Sequence, residues 1–320
     1  MSGTKILKII RQNRRFLITT HIHPDCDALA SQLAVALYLK RLGKKVFVVN
    51  AEAPPQRFAF LPGFHLIQTF EKARTTAYDV AVVLDCGDLD RIDRVKALIK
   101  NDQTIINIDH HLTNNLFGHI NLIERKASST AEVLFALLKK ANFPLTKDIA
   151  LLLYLGLMTD TGSFRYDSTT AYTHQAAGEL MRFGFSISEL YRRLYEEMSF
   201  EDWKLLIKLA GRFEKFCGGR VLALCVSKKI TDQFSPEFDL RDKIFNILRI
   251  IQGVEVIMIL TEETRQTTRV NFRAPGDRVN VAELASFFQG GGHRKASGCV
   301  IREGLSKAKK KVLAQLEKIL

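Results

Sequence analysis

The first half of the chain alternates short apolar runs with longer mixed ones. Phe16 to Thr20, Lys45 to Asn50, Asp79 to Leu84 and Thr104 to Ile108 are rich in Val, Ile and Leu. Runs of this kind read as strands of a parallel sheet buried on both faces. Between them, Ala28 to Leu42, closed by Gly43, and Arg91 to Lys100 read as helices. Residues 51–63 hold Pro54, Pro55, Pro62 and Gly63 and read as a loop. Strands and helices in this order predict an α/β fold with a doubly wound, mostly parallel sheet.

From Ser128 the period changes to that of helices. Ser129 and Glu132 stand at capping-box spacing ahead of a helix running to about Asn142. Thr146 to Thr159 is apolar nearly all round, which predicts a buried helix. Helices near 171–183 and 187–197 complete a first domain over 1–197. The amphipathic stretch from Phe200 to Phe216, punctuated by Cys217-Gly218-Gly219, predicts a helical connector over 198–218 with Trp203 packed. A smaller α/β domain over 219–320 is expected from strands near 220–226, 254–262 and 267–274 and helices near 239–250 and 280–288. Gly290 to Gly298, a further strand and a C-terminal helix end the chain.

Composition narrows the class. With 320 residues, 47% hydrophobic and 25% charged, the chain suits two globular domains. No apolar run approaches the ~20 residues that span a bilayer, and the polar, basic Met1–Arg15 segment lacks the apolar core of a signal peptide. Cys26, Cys86, Cys217, Cys225 and Cys299 form no Cys-x-x-Cys pair, which argues against a disulfide framework or zinc ribbon and for a reducing cytoplasm. The net charge of +13 fits an anionic partner such as a phosphate ester or nucleic acid, although it also serves solubility. The Lys307–Lys311 run reads as a solvated helix face.

Three of the apolar runs end in acidic and imidazole groups. The first leads into His21-Ile22-His23-Pro24-Asp25-Cys26-Asp27, another into Asp85-Cys86-Gly87-Asp88, and another into Asp109-His110-His111. Ligands of open α/β sheets bind beyond the carboxyl ends of the strands, so these groups are expected to meet in one crevice. Carboxylates repel by ~4 kcal/mol per pair at about 4 Å and an effective dielectric near 20, which a cation relieves. Asp25 and Asp27 alternate, and an extended loop turns them to different points, which suits two cations with Asp85 between them. Asp160 follows the buried helix and can enter from the side. Mixed carboxylate and imidazole donors fit Mn²⁺, with Mg²⁺, Fe²⁺ or Co²⁺ as substitutes.

The order His21-x-x-Pro24-Asp25-x-Asp27, Asp85, Asp109-His110-His111 and Asp160 resembles the DHH phosphoesterase superfamily. Gly290-Gly291-Gly292-His293-Arg294-Lys295-Ala296-Ser297-Gly298 resembles the signature of the DHH-associated substrate domain. Spacing and length look most like the branch of nanoRNases (oligoribonucleases) and 3′-phosphoadenosine 5′-phosphate (pAp) phosphatases. The resemblance implies one Mn²⁺ on His21, Asp25 and Asp85 and another on Asp27, Asp85, His110 and Asp160. It implies that His111 lies beside the scissile phosphate and that Asp109 orients the histidine pair, giving His111, Asp109 and Asp85 as catalytic candidates. Substrate-binding candidates are Arg273, Gly291, Gly292, His293, Arg294 and Lys295, with Arg165 and His23 as weaker ones. Expected partners are short single-stranded RNA or DNA oligonucleotides and phosphorylated nucleotides, with no membrane; the family suggests a homodimer.

A second domain that grips a substrate terminus while cations act nearby favours short substrates of about two to five nucleotides. Other readings of the same motifs are a cyclic or linear dinucleotide phosphodiesterase, a longer single-strand exonuclease of RecJ type, a family II pyrophosphatase, or a nucleotide-binding regulatory module without activity. The chain lacks the extra nucleic-acid domain expected of the RecJ type, and the pyrophosphatase second domain does not carry the Gly-Gly-Gly-His signature.

Overall fold

Each predicted strand of the first half forms, and two half-exposed edge strands join them. The computed structural model describes residues 2–73, 77–100, 103–236 and 238–320, with the backbone alone of His293. It divides into two units, Met1–Tyr195 and Glu196–Leu320.

In the first unit the strands are β1 (Arg15–Thr19), β2 (Lys45–Asn50), β3 (Ile67–Thr69), β4 (Val80–Leu84), β5 (Thr104–Asp109) and β6 (Ile120–Ile123). They form one parallel sheet in the order β3-β2-β1-β4-β5-β6. The short edge strands β3 and β6 have no fully buried residue, which is why no apolar run marks them. The helices are α1 (Ser2–Gln12), α2 (Cys26–Arg41), α3 (Thr130–Lys140), α4 (Lys147–Asp160), α5 (Ala171–Met181) and α6 (Ile187–Tyr191). Phe16, Ile18, Val82, Leu84, Ile106 and Ile108 face these helices in one core. The opposite face, with Leu17, Ala81, Val83 and Ile105, is covered by Tyr78, Ile92 and Val95.

The expected helix over Arg91–Lys100 is instead a run of 3₁₀ turns, Leu89–Leu98, broken at Asp93, whose φ is 49°. Only Ile92 and Val95 of this run are buried, a footprint too small to fix whole α-helical turns. The capping expectation at Ser129 holds in half: its side chain accepts from the Glu132 amide at 3.1 Å. The Glu132 carboxylate turns instead to the hydroxyls of Ser128 and Thr173, both at 2.6 Å.

In the second unit, α7 (Phe200–Ala210), α8 (Lys228–Thr231), α9 (Leu240–Leu248), α10 (Val281–Phe287) and α11 (Leu305–Ile319) flank six strands. These are β7 (Glu214–Phe216), β8 (Val221–Val226), β9 (Val256–Thr264), β10 (Thr267–Arg273), β11 (Gly291–His293) and β12 (Ala296–Ile301). The sheet order is β11-β12-β10-β9-β8-β7, parallel between β8 and β9 and antiparallel elsewhere. One face packs on α10 and α11, the other on α7 and α9.

The separate connector over 198–218 is not seen. The first unit ends at Tyr195, α7 buries Leu206 and Leu209 against Leu222 and Leu224 of β8, and the last part of the stretch is β7. Trp203 is also corrected: it is 46% exposed and its ring stacks on Phe200 at 5.8 Å. The buried stripe of α7 is Asp202, Leu206 and Leu209, which turns Trp203 outward.

Asp202 ties α7 to its own unit. Its carboxylate accepts from the Ser235 amide (2.9 Å), the Ser235 hydroxyl (2.6 Å) and the Ser199 hydroxyl (2.8 Å). Burial opposes ionisation, but these bonds from Ser235 and Ser199 outweigh it and hold the carboxyl below its usual range. Asp202→Ala is expected to cost about 1–3 kcal/mol and lower the melting temperature by several degrees. Because the folded-state value is depressed, this stabilisation is complete above about pH 4 and fades as pH falls through the lowered value. Melting curves of both proteins from neutral pH downward should therefore converge in acid.

Candidate metal centre

β1 and β4 are neighbours, and from them the chain steps outward in opposite directions, through β2 and β3 on one side and β5 and β6 on the other. A crevice opens beyond the strand ends at such a reversal. The loop after β1, the turn after β4 and the end of β5 all reach it.

His21 is buried. Its Nδ1 donates to the Ile22 carbonyl at 2.7 Å, which leaves Nε2 as the nitrogen turned to Asp85 Oδ2, 3.6 Å away. Asp25 caps α2 by accepting from the Ala28 amide at 3.0 Å. The helix begins at Cys26, so Asp27 lies in its first turn and not in an extended loop, a correction to the expected alternation. The buried Asp27 carboxylate accepts the first amides of α3, Thr130 at 2.8 Å and Ala131 at 3.1 Å. A helix N-terminus thus holds a carboxylate from another helix.

Asp85 sits one residue beyond β4 with φ 51°. Its amide still pairs with the Ile108 carbonyl at 3.0 Å, and its Oδ1 accepts from the Thr130 hydroxyl at 2.8 Å. His110 Nε2 lies 3.2 Å from Asp160 Oδ2 and 3.7 Å from Asp85 Oδ1. Asp160 is the last residue of α4. His111 Nδ1 meets Asp109 Oδ1 at 2.7 Å, and Asn114 donates to the other Asp109 oxygen at 2.6 Å.

Among the described residues, three groups could each hold a cation: His21, Asp25 and Asp85; Asp27, His110 and Asp160; and Asp85, His110 and His111. Within each, the donor atoms lie within 4.8 Å of one another. Asp85 belongs to two of them. The electrostatics show the same crowding. Burial raises the Asp27 carboxyl well above its usual range, and the charges of Asp85 and Asp160 add to this. Burial, Asp25 and Asp85 do the same to Asp160. Burial also opposes ionisation of Asp85, but His21, His111 and His110 outweigh it and bring its carboxyl below the usual range. His111 is pushed up to about 9: burial opposes its protonation, while the bond to Asp109 and the charge of Asp85 prevail. Cys26 and Cys86 are buried and their thiols are pushed up by burial, Cys86 to about 12, so neither offers a thiolate.

Comparison with known proteins places the chain in a family. Residues 15–157 match the DHH family N-terminal domain and residues 218–320 match the DHHA1 domain. The bifunctional oligoribonuclease and PAP phosphatase NrnA of Thermus thermophilus is 30% identical over 89% of this chain and 83% of its own length. The chain belongs to the DHH family. The NrnA of Bacillus subtilis is 28% identical over 93% of each chain. The crystal structure of an exopolyphosphatase-related protein from Bacteroides fragilis superposes with a TM-score of 0.91 and 26% identity, covering 99% of this chain and 97% of the other. DHH membership implies divalent cations, and the oxygen and imidazole donors of the DHH domain fit them.

Several residues that shape the DHH site carry no motif of their own. Thr130 binds Asp27 through its amide and Asp85 through its hydroxyl, and Asn114 orients Asp109. The capping pattern at Ser129 marks the helix start that supplies Thr130, but not the carboxylates it receives. His119 and His174 are occupied elsewhere. His119 accepts from the Ile105 amide at 2.9 Å, and His174 stacks on Phe164 at 5.5 Å. Arg165 folds onto its own turn, Nε to the Gly162 carbonyl at 2.5 Å. The exposed His23 pairs with Glu52.

In the DHHA1 domain, β11 pairs with β12 and β12 with β10, which puts His293, Ala296 and Arg273 in one register row. The Arg273 guanidinium lies over the Phe245 ring at 4.8 Å. Arg294 Nη2 donates to the Asp277 carbonyl at 2.7 Å, and Lys295 pairs with the Asp277 carboxylate at 3.0 Å. Two glycines of the signature have a structural cause. A Cβ on Gly290 would come within 2.2 Å of the Gly298 carbonyl oxygen. Gly292 has φ 141°, and a Cβ there would meet Ala296 O at 2.5 Å. Among the described residues, nothing lies within 4 Å of a Cβ on Gly291. The tight hairpin to β12 thus explains Gly290 and Gly292 before any anion is invoked.

Proposed function

We propose that this DHH protein is a two-cation phosphoesterase that hydrolyses short oligoribonucleotides to mononucleotides and dephosphorylates pAp to AMP in the cytoplasm. The observation that carries the reading is the sharing of Asp85 between neighbouring donor groups. The NrnA relatives, bifunctional oligoribonuclease and PAP phosphatase by name, match along most of their length and support the substrate class. We assign one cation to His21, Asp25 and Asp85 and the second to Asp27, Asp85, His110 and Asp160, with Mn²⁺ preferred over Mg²⁺, Co²⁺ or Fe²⁺. The same reading expects short single-stranded DNA oligonucleotides as partners as well, and a homodimer in solution.

Bound divalent cations supply a water of lowered pKa and offset charge on the phosphoryl group. The chain's own residues do the rest. Thr130 holds Asp85 and the α3 amides hold Asp27, so the carboxylates are set before substrate arrives. Asp109 orients His111 and favours its protonated form. We assign His111 to donate to a phosphoryl or leaving oxygen. Arg273, Arg294, Lys295 and the backbone of Gly291, Gly292 and His293 offer positive and amide groups for the substrate's terminal phosphate.

His111→Ala is expected to lower kcat by about 10²–10⁴-fold while the protein still binds Mn²⁺. Full turnover in that variant removes the role. The reading as a whole is tested with 5′-labelled RNA of about two to twenty nucleotides, and pAp alongside, in Mn²⁺. Turnover should be fastest for the shortest chains and should include pAp. Rates that rise with length support the RecJ-type reading instead. No turnover and no bound Mn²⁺ support a nucleotide-binding module.

A further inference from the structure

Glu52 lies outside the DHH motif and outside every donor group of the metal centre, yet one of its oxygens makes two contacts inside the loop that carries His21 and Asp25. Oε1 accepts from the His23 amide at 2.9 Å and lies 2.7 Å from His23 Nδ1. His23 stands with φ 53°, a left-handed conformation that a residue with a side chain adopts only when its surroundings hold it there. It is the middle residue between two donors of one candidate cation group. The neighbouring backbone is held as well: the Ile22 amide donates to the Arg91 carbonyl at 2.8 Å, and the Ile22 carbonyl accepts from His21. Glu52 is thus the side chain that fastens the left-handed turn at His23, between the held ends at Ile22 and Asp25.

We propose that Glu52 is a positioning residue for the metal centre, clamping the His23 turn so that His21 and Asp25 converge with Asp85 on one cation. This rests on the two-cation reading. Glu52 follows β2, a crossover away from the loop it holds, so its spacing from His21 carries no hint of the contact. The amide bond is the main fastening, since it acts on the backbone whose conformation is at issue. The ring contact adds to it.

The test is calorimetric titration of metal-free protein with Mn²⁺, alongside steady-state kinetics, for wild type, Glu52→Ala, Glu52→Gln and His23→Ala. Glu52→Ala should weaken the affected Mn²⁺ site by about 10–100-fold, as the loss of a residue that orients ligands does. Glu52→Gln keeps an oxygen that accepts from the His23 amide and should stay within about threefold of wild type by the same measure. His23→Ala keeps the amide bond and should lie nearer wild type than Glu52→Ala. Activity of Glu52→Ala should recover as Mn²⁺ is raised, with kcat nearly restored. Glu52→Ala that binds Mn²⁺ as wild type does overturns the positioning role and leaves the metal centre standing. Glu52→Gln as impaired as Glu52→Ala also overturns it, because the backbone bond would then not be what matters. Wild-type protein that binds no Mn²⁺ overturns the two-cation reading and this role with it.

Discussion

Asp85→Asn should reduce phosphoester hydrolysis by at least about 10³-fold, the equivalent of roughly 4 kcal/mol of transition-state stabilisation, and should lower the bound metal content at the same time. Asp85 contributes to two of the three donor groups, and its Oδ1 also takes the Thr130 hydroxyl. An asparagine side chain fits the same space and can still accept from Thr130, so folding should survive. What it removes is the negative charge shared between the groups, and with it the offset to the charge of the proposed divalent cations. Metal analysis and thermal melts separate the causes. Wild-type protein should gain stability on adding Mn²⁺, about 2.7 kcal/mol at a hundredfold excess over Kd, and Asp85→Asn should gain much less. A variant that loses activity while keeping full metal content and the full thermal gain would put Asp85 outside the coordination sphere.

The reach and the limit of sequence reasoning lie in the kind of signal each element carries. β1, β2, β4 and β5 are buried on both sides, so their apolar runs are continuous and legible. β3 and β6 lie half-exposed at the edges and leave no run. The Leu89–Leu98 segment carries a helix-like scatter of Ile92 and Val95, but nothing in that scatter separates 3₁₀ turns from an α-helix. The stretch after Phe200 shows amphipathic spacing, and α7 has it. Where the helix stops and β7 begins is decided by pairing with β8, a tertiary event. The convergence of Asp and His groups was readable because parallel strands place their carboxyl ends on one side of the sheet. The residues that hold those groups were not. Thr130, Asn114 and Glu52 are ordinary polar residues whose partners are brought up by other elements, and the Gly156 in α4 reads in sequence as a mild defect in a buried helix.

That glycine carries the second large effect. Alanine is the better helix former by about 1 kcal/mol, so by propensity alone Gly156→Ala should stabilise the protein. The structure predicts the reverse. A Cβ at Gly156 would stand 2.3 Å from Asp27 Oδ1 and 2.5 Å from the Ala131 Cβ, separations that atoms do not tolerate. Neither neighbour can step aside cheaply. Asp27 is held by the Thr130 and Ala131 amides, and Ala131 is part of the first turn of α3. The strain must then part α4 from α2 and α3, at a cost of about 1–3 kcal/mol from overpacking, beyond the lost gain in propensity. Asp160 lies one helical turn further along α4, so the same displacement separates it from Asp27 and His110. A shift of about 1 Å in such a constellation costs on the order of 10²-fold in rate. Gly156→Ala should therefore lower the melting temperature and the turnover together. Gly178, in α5, supplies the control, since a Cβ there meets nothing within 4 Å among the described residues. Gly178→Ala should hold or raise stability and leave turnover unchanged. If the two substitutions behaved alike, the contact of α4 with the Asp27 carboxylate would be looser than these distances require, and the ordering of that carboxylate would need another source.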